Sequence, residues 1–385
     1  MSDGPDSSAV PLAVYLHFPW CVAKCPYCDF NSHALRDGLP EQAYVDALLA
    51  DLDWELSRRP EHREIVSVFL GGGTPSLFPP AAIGRALDGL AQRLTLRADA
   101  EITLEANPGT VDAAHFAGYR AAGVNRLSIG VQSFDDAQLR RLGRIHDAEA
   151  AREAVRIARG SGFDNLNLDL MFALPEQGLA AAARDLDHAL ALEPEHLSYY
   201  HLTIEPNTAF ARTPPPLPDA DLAADMLDQA AERFGARGFE RYEVSAWARE
   251  ARRCAHNLNY WQFGDYLGLG AGAHGKRSSG GTIERRARQR HPARYQETAG
   301  GERAVQDTQP VDESARVFEY LMNRLRLTGP APLAEFEQRT GLPRAALQQA
   351  TRALVRDGLL SLDDDQLQTT PTGFAHLNTV MERLL

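Results

Sequence analysis

The chain has no apolar run of about 18 residues, the length a membrane-spanning helix needs, so no transmembrane segment is expected. Its first residues, MSDGPDSSAVP, carry neither a basic n-region nor an apolar h-region. They read as a short disordered lead-in over residues 1–11, not as a secretory signal. Basic residues are in the minority: 40 Lys and Arg against 52 Asp and Glu leave a formal charge of −12. A general nucleic-acid binder needs the opposite sign, so nucleic acid is not an expected partner. Cysteine is scarce too. Four cysteines in 385 residues cannot build a disulfide framework, and three of them crowd into eight residues. That points to a metal site in a reducing compartment, hence a cytoplasmic protein. Internal repeats are absent. What remains is a chain 44% hydrophobic, long enough for a catalytic domain of about 250–300 residues and a small appendage.

Short apolar runs alternate with longer amphipathic stretches as far as about residue 205. The expected strands span residues 12–18, 65–70, 100–105, 126–131, 165–171 and 196–202. Between the first two, Tyr44, Leu48, Leu52 and Leu56 recur at helical spacing behind Pro40 and Glu41. Further helices are expected over 148–159, stopped by Gly160 and Gly162, and over 180–192, before Pro194. Repeated βα units imply a parallel sheet with right-handed crossovers, either doubly wound or an incomplete barrel. The proline-rich stretch 213–218 is an extended connection before a long helix over 219–237, and the glycine-dense stretch 264–281 reads as turns and loops. Past residue 310 the pattern becomes three helices (314–325, 332–340, 343–356) and a hairpin (359–362 with 366–369), a winged-helix-like unit. The expected division is a core over 12–212, a completing region over 213–309 and a C-terminal domain over 310–385.

Cys21, Cys25 and Cys28 are spaced four and three residues apart directly after the first strand. Such spacing lets one loop wrap a cubane, and thiolate is the ligand iron–sulfur clusters use. Three protein ligands would leave a fourth iron open. A zinc site completed by His17 or His33 is the competing reading. Against it, no second cysteine pair follows at zinc-ribbon distance, and the motif sits where ligands bind on a parallel sheet.

CxxxCxxC in this setting resembles the radical S-adenosylmethionine superfamily. The wider string HFPWCVAKCPYCDFNSH resembles the branch that holds oxygen-independent coproporphyrinogen oxidase and HemW-type heme chaperones. The resemblance covers nearly the whole chain. It implies a partial (β/α)6 barrel and a [4Fe–4S] cluster on Cys21, Cys25 and Cys28 that gives one electron to S-adenosylmethionine. It also implies cofactor contacts from Gly72, Gly73 and Thr74 of the GGGTP element and from Glu105, Gln132, Arg144, Asp169 and Tyr15. Taken singly, each of these could cap a helix or meet water; as a set at successive strand ends they converge on one site. Tyr27 matches an aromatic beside a second S-adenosylmethionine, or else packs over the cluster to exclude water.

Two features separate the branches. The oxidase branch has a further cysteine two residues after the third ligand, where this chain has Phe30, and a first strand at residue 12 leaves no room for the oxidase's N-terminal extension. Both argue against porphyrinogen decarboxylation. His256-Asn-Leu-Asn-Tyr-Trp261 resembles the HNxxYW motif of the heme chaperones, which makes His256 a candidate axial ligand for heme; a packed core histidine is the plainer reading. Cys254 offers a thiolate or, more simply, a buried inert thiol. Seven basic residues and one acid lie between Lys276 and Arg294, either a solvated loop or a patch for heme propionates or an acidic partner. The C-terminal unit has no dense basic helix, so a lid or docking role fits it better than DNA reading. The leading expectation is a heme chaperone that binds heme, passes it to a recipient hemoprotein such as a respiratory enzyme, and admits a homodimer. A radical enzyme acting on a tetrapyrrole and a zinc-stabilised interaction module are the rivals.

Overall fold

The early strands alternate residue by residue, and the fold follows from where each set of side chains goes. The computed structural model describes residues 9–36 and 38–385. Seven strands run parallel: β1 (Leu12–Phe18), β2 (Ile65–Gly72), β3 (Leu96–Ala106), β4 (Arg126–Gln132), β5 (Leu166–Phe172), β6 (His196–His201) and β7 (Asp265–Leu269). Their order in the sheet is β7-β1-β2-β3-β4-β5-β6. On one face Val14, Leu16, Val68, Leu70, Leu104, Leu127, Ile129, Leu168, Leu170 and Leu197 are buried in a single apolar cluster with the covering helices. Each such side chain contributes about 1.5–3 kcal/mol. The other face carries Tyr15, His17, Glu105, Ser128, Asn167, Asp169, His196 and Ser198, and it lines a cavity.

The helices Glu41–Arg58, Pro80–Ala91, Ala113–Ala121, Ala148–Gly160 and Leu179–Ala191 connect β1 to β6 in turn. Asp112 and Asp147 cap two of them, their carboxylates accepting from His115 and Ala150 N–H groups. Antiparallel strands extend the sheet at both edges, to twelve in all: Ala246–Ala248 and Glu240–Glu243 beyond β6, and His274–Ser279, Thr282–Arg288 and Val305–Pro310 beyond β7. The expected strands and helices recur with ends shifted by a few residues.

Residues 264–281 are not the expected loops. They form β7 and the strand His274–Ser279, and the seventh parallel strand lies against the free edge of β1. Glycine is dense here because backbones approach closely: a Cβ on Gly268 would lie 1.9 Å from the His274 carbonyl oxygen. Nor is the stretch from Lys276 to Arg294 a free basic loop. Lys276 pairs with Asp265 (3.0 Å), Arg277 with Glu61 (2.9 Å), Arg285 with Glu319 (2.6 Å), Arg286 with Glu55 (2.9 Å) and Arg288 with Asp51 (2.9 Å). Arg286 and Arg288 pin the first helix to the sheet extension, and Arg285 ties the extension to Glu319 of the C-terminal part. The expected lead-in lies outside the described residues up to position 8. Its last residues are packed, with Val10 1% exposed and the Pro11 carbonyl accepting from Asp265 N–H.

The C-terminal part has the winged-helix-like arrangement. Helices Glu313–Arg324, Leu333–Thr340 and Arg344–Arg356 pack with a small antiparallel sheet of Ala331–Pro332, Gln366–Thr369 and Leu360–Leu362. Leu321, Phe336, Leu347, Leu354 and Leu367 form its core, which also takes in Phe263 and Ile283 from the sheet domain. Among the described residues no helix is long and apolar enough to cross a membrane.

Asp265 is fully buried and holds Lys276 (1% exposed), Arg63 at 2.9 Å and the Ser278 hydroxyl and N–H at 2.8 Å. Asp265→Ala leaves a buried lysine without its counter-charge. It is expected to cost about 3–5 kcal/mol in urea unfolding, against near-neutrality for an exposed pair such as Arg294–Glu297.

Candidate functional site

The polar face of the sheet curves around a chamber of about 1430 Å3, larger than the roughly 300–1,000 Å3 of ordinary ligand pockets. All the residues singled out above as cluster, cofactor or heme candidates line it: Cys21, Cys25, Cys28, Tyr15, Tyr27, Gly72, Gly73, Thr74, Glu105, Gln132, Arg144, Asp169 and His256.

The cysteines lie in the loop after β1. Each sulfur has its own polar neighbour: the Thr74 hydroxyl 3.5 Å from Cys21, the Arg144 guanidinium 3.6 Å from Cys25 and the Ser32 hydroxyl 3.7 Å from Cys28. Donors aimed at three sulfurs that face one chamber suit thiolates sharing a cluster. Among the described residues no three Cys, His, Asp or Glu side chains are grouped closely enough to hold a single metal ion. His17 is also fully engaged. Its Nδ1 accepts from the Tyr15 hydroxyl (2.9 Å), and Nε2–H donates to the Asn31 carbonyl (2.9 Å). Burial lowers its pKa to about 4, so it is neutral and serves as a strut for the loop. Phe30, 64% exposed, stands at the chamber wall. Tyr27 lines the chamber and packs with Leu142, Met171, Leu174 and Phe210.

The GGGTP turn lies against this loop. Gly72 has φ +114°, and a Cβ there would come within 2.5 Å of the His17 ring, so only glycine fits. Its N–H donates to Glu105 (3.0 Å). Burial first, and the Asp169 charge second, push the Glu105 carboxyl up to about 7. Burial also raises Asp169, although Ser128 (3.0 Å) and Asn167 (2.8 Å) donate to it. Two buried acids on one wall suit a cationic ligand such as a sulfonium with its amino group. Gln132 takes a left-handed φ of 69° at a bulge in β4, and Arg144 donates to Gly130 O at 2.8 Å beside it.

His256 sits on the short helix Ala255–Trp261, deeper in the barrel. Glu101 anchors that helix, accepting from the N–H groups of Ala255 (3.1 Å) and His256 (3.2 Å) and from the Cys254 thiol (3.4 Å), with Arg126 3.8 Å away. Burial pushes the Cys254 thiol up to about 12, so it is the inert thiol and not a ligand. His256 has its Nδ1 3.2 Å from the Ser67 hydroxyl. Burial lowers its pKa to about 4, which keeps the ring neutral. In the tautomer whose Nδ1–H donates to Ser67, the Nε2 lone pair is the one left for a metal, the form a metal-ligating histidine takes. Phe69 and Tyr15 lie 5.0 and 6.3 Å from the ring, centroid to centroid.

A buried chain of hydrogen bonds joins the two regions. Asn167 donates to Asp169 and accepts from His196 Nδ1–H (2.6 Å). His196 Nε2 accepts from Tyr242 (2.9 Å), whose oxygen accepts from Cys254 N–H (3.4 Å). Sequence reasoning missed Ser67, Glu101, Arg126, Asn167 and His196. Their signal was position: each lies an even number of residues from a singled-out residue on its own strand or from an inward neighbour across the register.

The Glu105 shift has a readable consequence in the cofactor-free protein. An acid whose folded pKa is raised destabilises the fold once it must ionise. Wild type should therefore lose stability relative to Glu105→Gln as pH climbs from about 4 to about 7. Parallel thermal melts from pH 4 to 8 check this; a difference that stays flat over that range contradicts it.

The sequence profile of the Radical SAM superfamily matches residues 15–189, and that of the HemN C-terminal domain matches residues 311–376. The heme chaperone HemW of Escherichia coli (strain K12) is 47% identical over 376 residues, covering 97% of this chain and 98% of the relative. HemW of Haemophilus influenzae (strain ATCC 51907 / DSM 11121 / KW20 / Rd) is 45% identical over 379 residues, covering 97% and 98%. Among solved structures, coproporphyrinogen III oxidase (HemN) from Escherichia coli, described as a radical SAM enzyme, superposes with a TM-score of 0.82 over 97% of this chain and 90% of that one. At 24% identity this likeness speaks for the fold alone. Fold, cysteine loop and full-length similarity agree, and the chain belongs to the HemW heme chaperone family of the radical S-adenosylmethionine superfamily.

Proposed function

We propose that this protein is a heme chaperone that holds a [4Fe–4S] cluster and S-adenosylmethionine at one end of its chamber and heme at the other, and passes the heme to a hemoprotein. The observation that carries this reading is the single chamber, lined by the cysteine loop, the GGGTP turn and His256 alike. When bound and reduced, the cluster supplies one electron to the sulfonium of S-adenosylmethionine.

This chain's own residues have separable tasks. Cys21, Cys25 and Cys28 bind the cluster, and Thr74, Arg144 and Ser32 offset charge on the sulfurs. Gly72 and Gly73 let the turn close on His17 and on the Phe18 and Trp20 carbonyls, which would bring its backbone beside the methionine end of the cofactor. Glu105 and Asp169 face its positive groups, Gln132 and Arg144 lie alongside, and Tyr15 contributes an aromatic contact. Tyr27 and its apolar neighbours exclude water from the cluster loop. His256, held by Ser67 and Glu101, offers a neutral Nε2 to heme iron between aromatic walls.

Phe30, in place of the oxidase branch's further cysteine, favours holding a tetrapyrrole over oxidising a porphyrinogen. Anaerobic titration of cluster-reconstituted protein should give one heme per chain, with binding weakened at least tenfold in His256→Ala, and no turnover of coproporphyrinogen III. Absence of stoichiometric heme binding would sink the chaperone reading. Turnover to protoporphyrinogen would move the chain to the oxidase branch.

A further inference from the structure

Resting on the heme-binding reading, we propose that Arg326 and Trp261 form a carboxylate site in the chamber wall, one that takes the acidic side chains of the tetrapyrrole. Both residues line the chamber. Trp261 ends the same short helix that begins at Ala255 and carries His256. Arg326 comes from the C-terminal part, just after the helix Glu313–Arg324.

The case is made by donors without acceptors. Trp261 Nε1 and Arg326 Nε are buried and have no hydrogen-bond partner. Indole N–H and guanidinium N–H only donate, so only an acceptor satisfies them, and the charge on Arg326 selects an anionic one. Those two nitrogens have almost no accessible surface of their own, but the Arg326 side chain is 32% exposed and gives a single bond to an acid, so the rest of its guanidinium can meet an anion in the chamber. The protein's own acid does not fill the role. Glu243 takes one bond from Arg326 Nη2, at 3.3 Å, while its other oxygen already accepts from Ser245 N–H at 2.9 Å. Glu243 also lies within the field of a second cation, Arg241. One carboxylate therefore faces two arginines.

The geometry is built and not incidental. The Arg326 guanidinium stacks over the Trp261 ring, 4.4 Å from its centroid, which fixes both side chains. Leu325 and Leu327 on either side of Arg326 are buried, Leu327 bridges to Glu243, and Thr328 N–H donates to the Tyr242 carbonyl. The C-terminal unit thus contributes a residue to the chamber, which gives it a part in cargo recognition. Five of the seven basic residues from Lys276 to Arg294, the more obvious propionate candidates, are consumed by the buried and half-buried ion pairs described above; Arg294 is an exposed partner of Glu297, and Arg290 lines the chamber.

The test compares heme with heme dimethyl ester, whose carboxylates are capped, on full-length cluster-reconstituted protein. The Soret band reports ligation of the iron. Wild type should bind the free acid at least tenfold more tightly than the ester. Arg326→Gln should shrink that preference to within threefold while the Soret position stays, Arg326→Lys should restore part of it, and Trp261→Phe should reduce it at least threefold. Equal binding of acid and ester by wild type, or a full preference retained in Arg326→Gln, overturns the site and leaves the chaperone reading standing. Failure of wild type to bind either form overturns both.

Discussion

Turning one whole face of a parallel sheet into a polar lining is costly unless every group on it finds a partner, and the rest of this structure answers that constraint. Side chains alternate across a strand, so the residues that give the helices an apolar surface oblige their neighbours to point inward. In β4 and β5 those neighbours are Ser128, Asn167 and Asp169, and they hydrogen-bond one another across the register. On β2 and β3 a helix supplies the partners: Ala255–Trp261 brings its N–H groups to Glu101 and its histidine to Ser67. Most of the lining is thus satisfied laterally, which leaves its centre open. An apolar lumen of the same width would instead fill with side chains, as closed barrels do.

The open lumen accounts for both ends of the proposed chemistry. At one end the cysteine loop is held by a neutral His17 and by a turn that only glycine can make. At the other, burial keeps His256 neutral and a hydrogen bond at Nδ1 leaves its second nitrogen for a metal. The ordered run from Asp169 through Asn167, His196 and Tyr242 to the Cys254 N–H makes the two ends parts of one rigid wall. Both edges of the sheet are then extended with antiparallel strands, and buried ion pairs such as Lys276–Asp265 lock the extension in place.

Much of this was legible in the sequence. The spacing of Cys21, Cys25 and Cys28, the GGGTP element and HNLNYW are local patterns, and each fell on the chamber wall. So did polar residues at strand ends, because strand ends converge. What could not be read was set by tertiary pairing. β7 lies in a stretch too dense in glycine to look like a strand, and its one glycine, Gly268, is explained only by the backbone of His274 close by. The basic run from Lys276 looked free because its acids, Asp51, Glu55 and Glu61, lie more than 200 residues earlier. Ser67, Asn167 and His196 lie in apolar runs whose period-2 alternation marks a strand but not which of its faces points inward.

The central claim is that one chamber holds cluster and heme together. The direct measurement is iron anomalous diffraction from crystals of cluster-reconstituted, heme-loaded protein. The account predicts a strong iron peak at Cys21, Cys25 and Cys28 and a separate single-iron peak within bonding distance of His256 Nε2, inside the same lumen. A heme iron peak on the outer surface, or at another ligand, would contradict it.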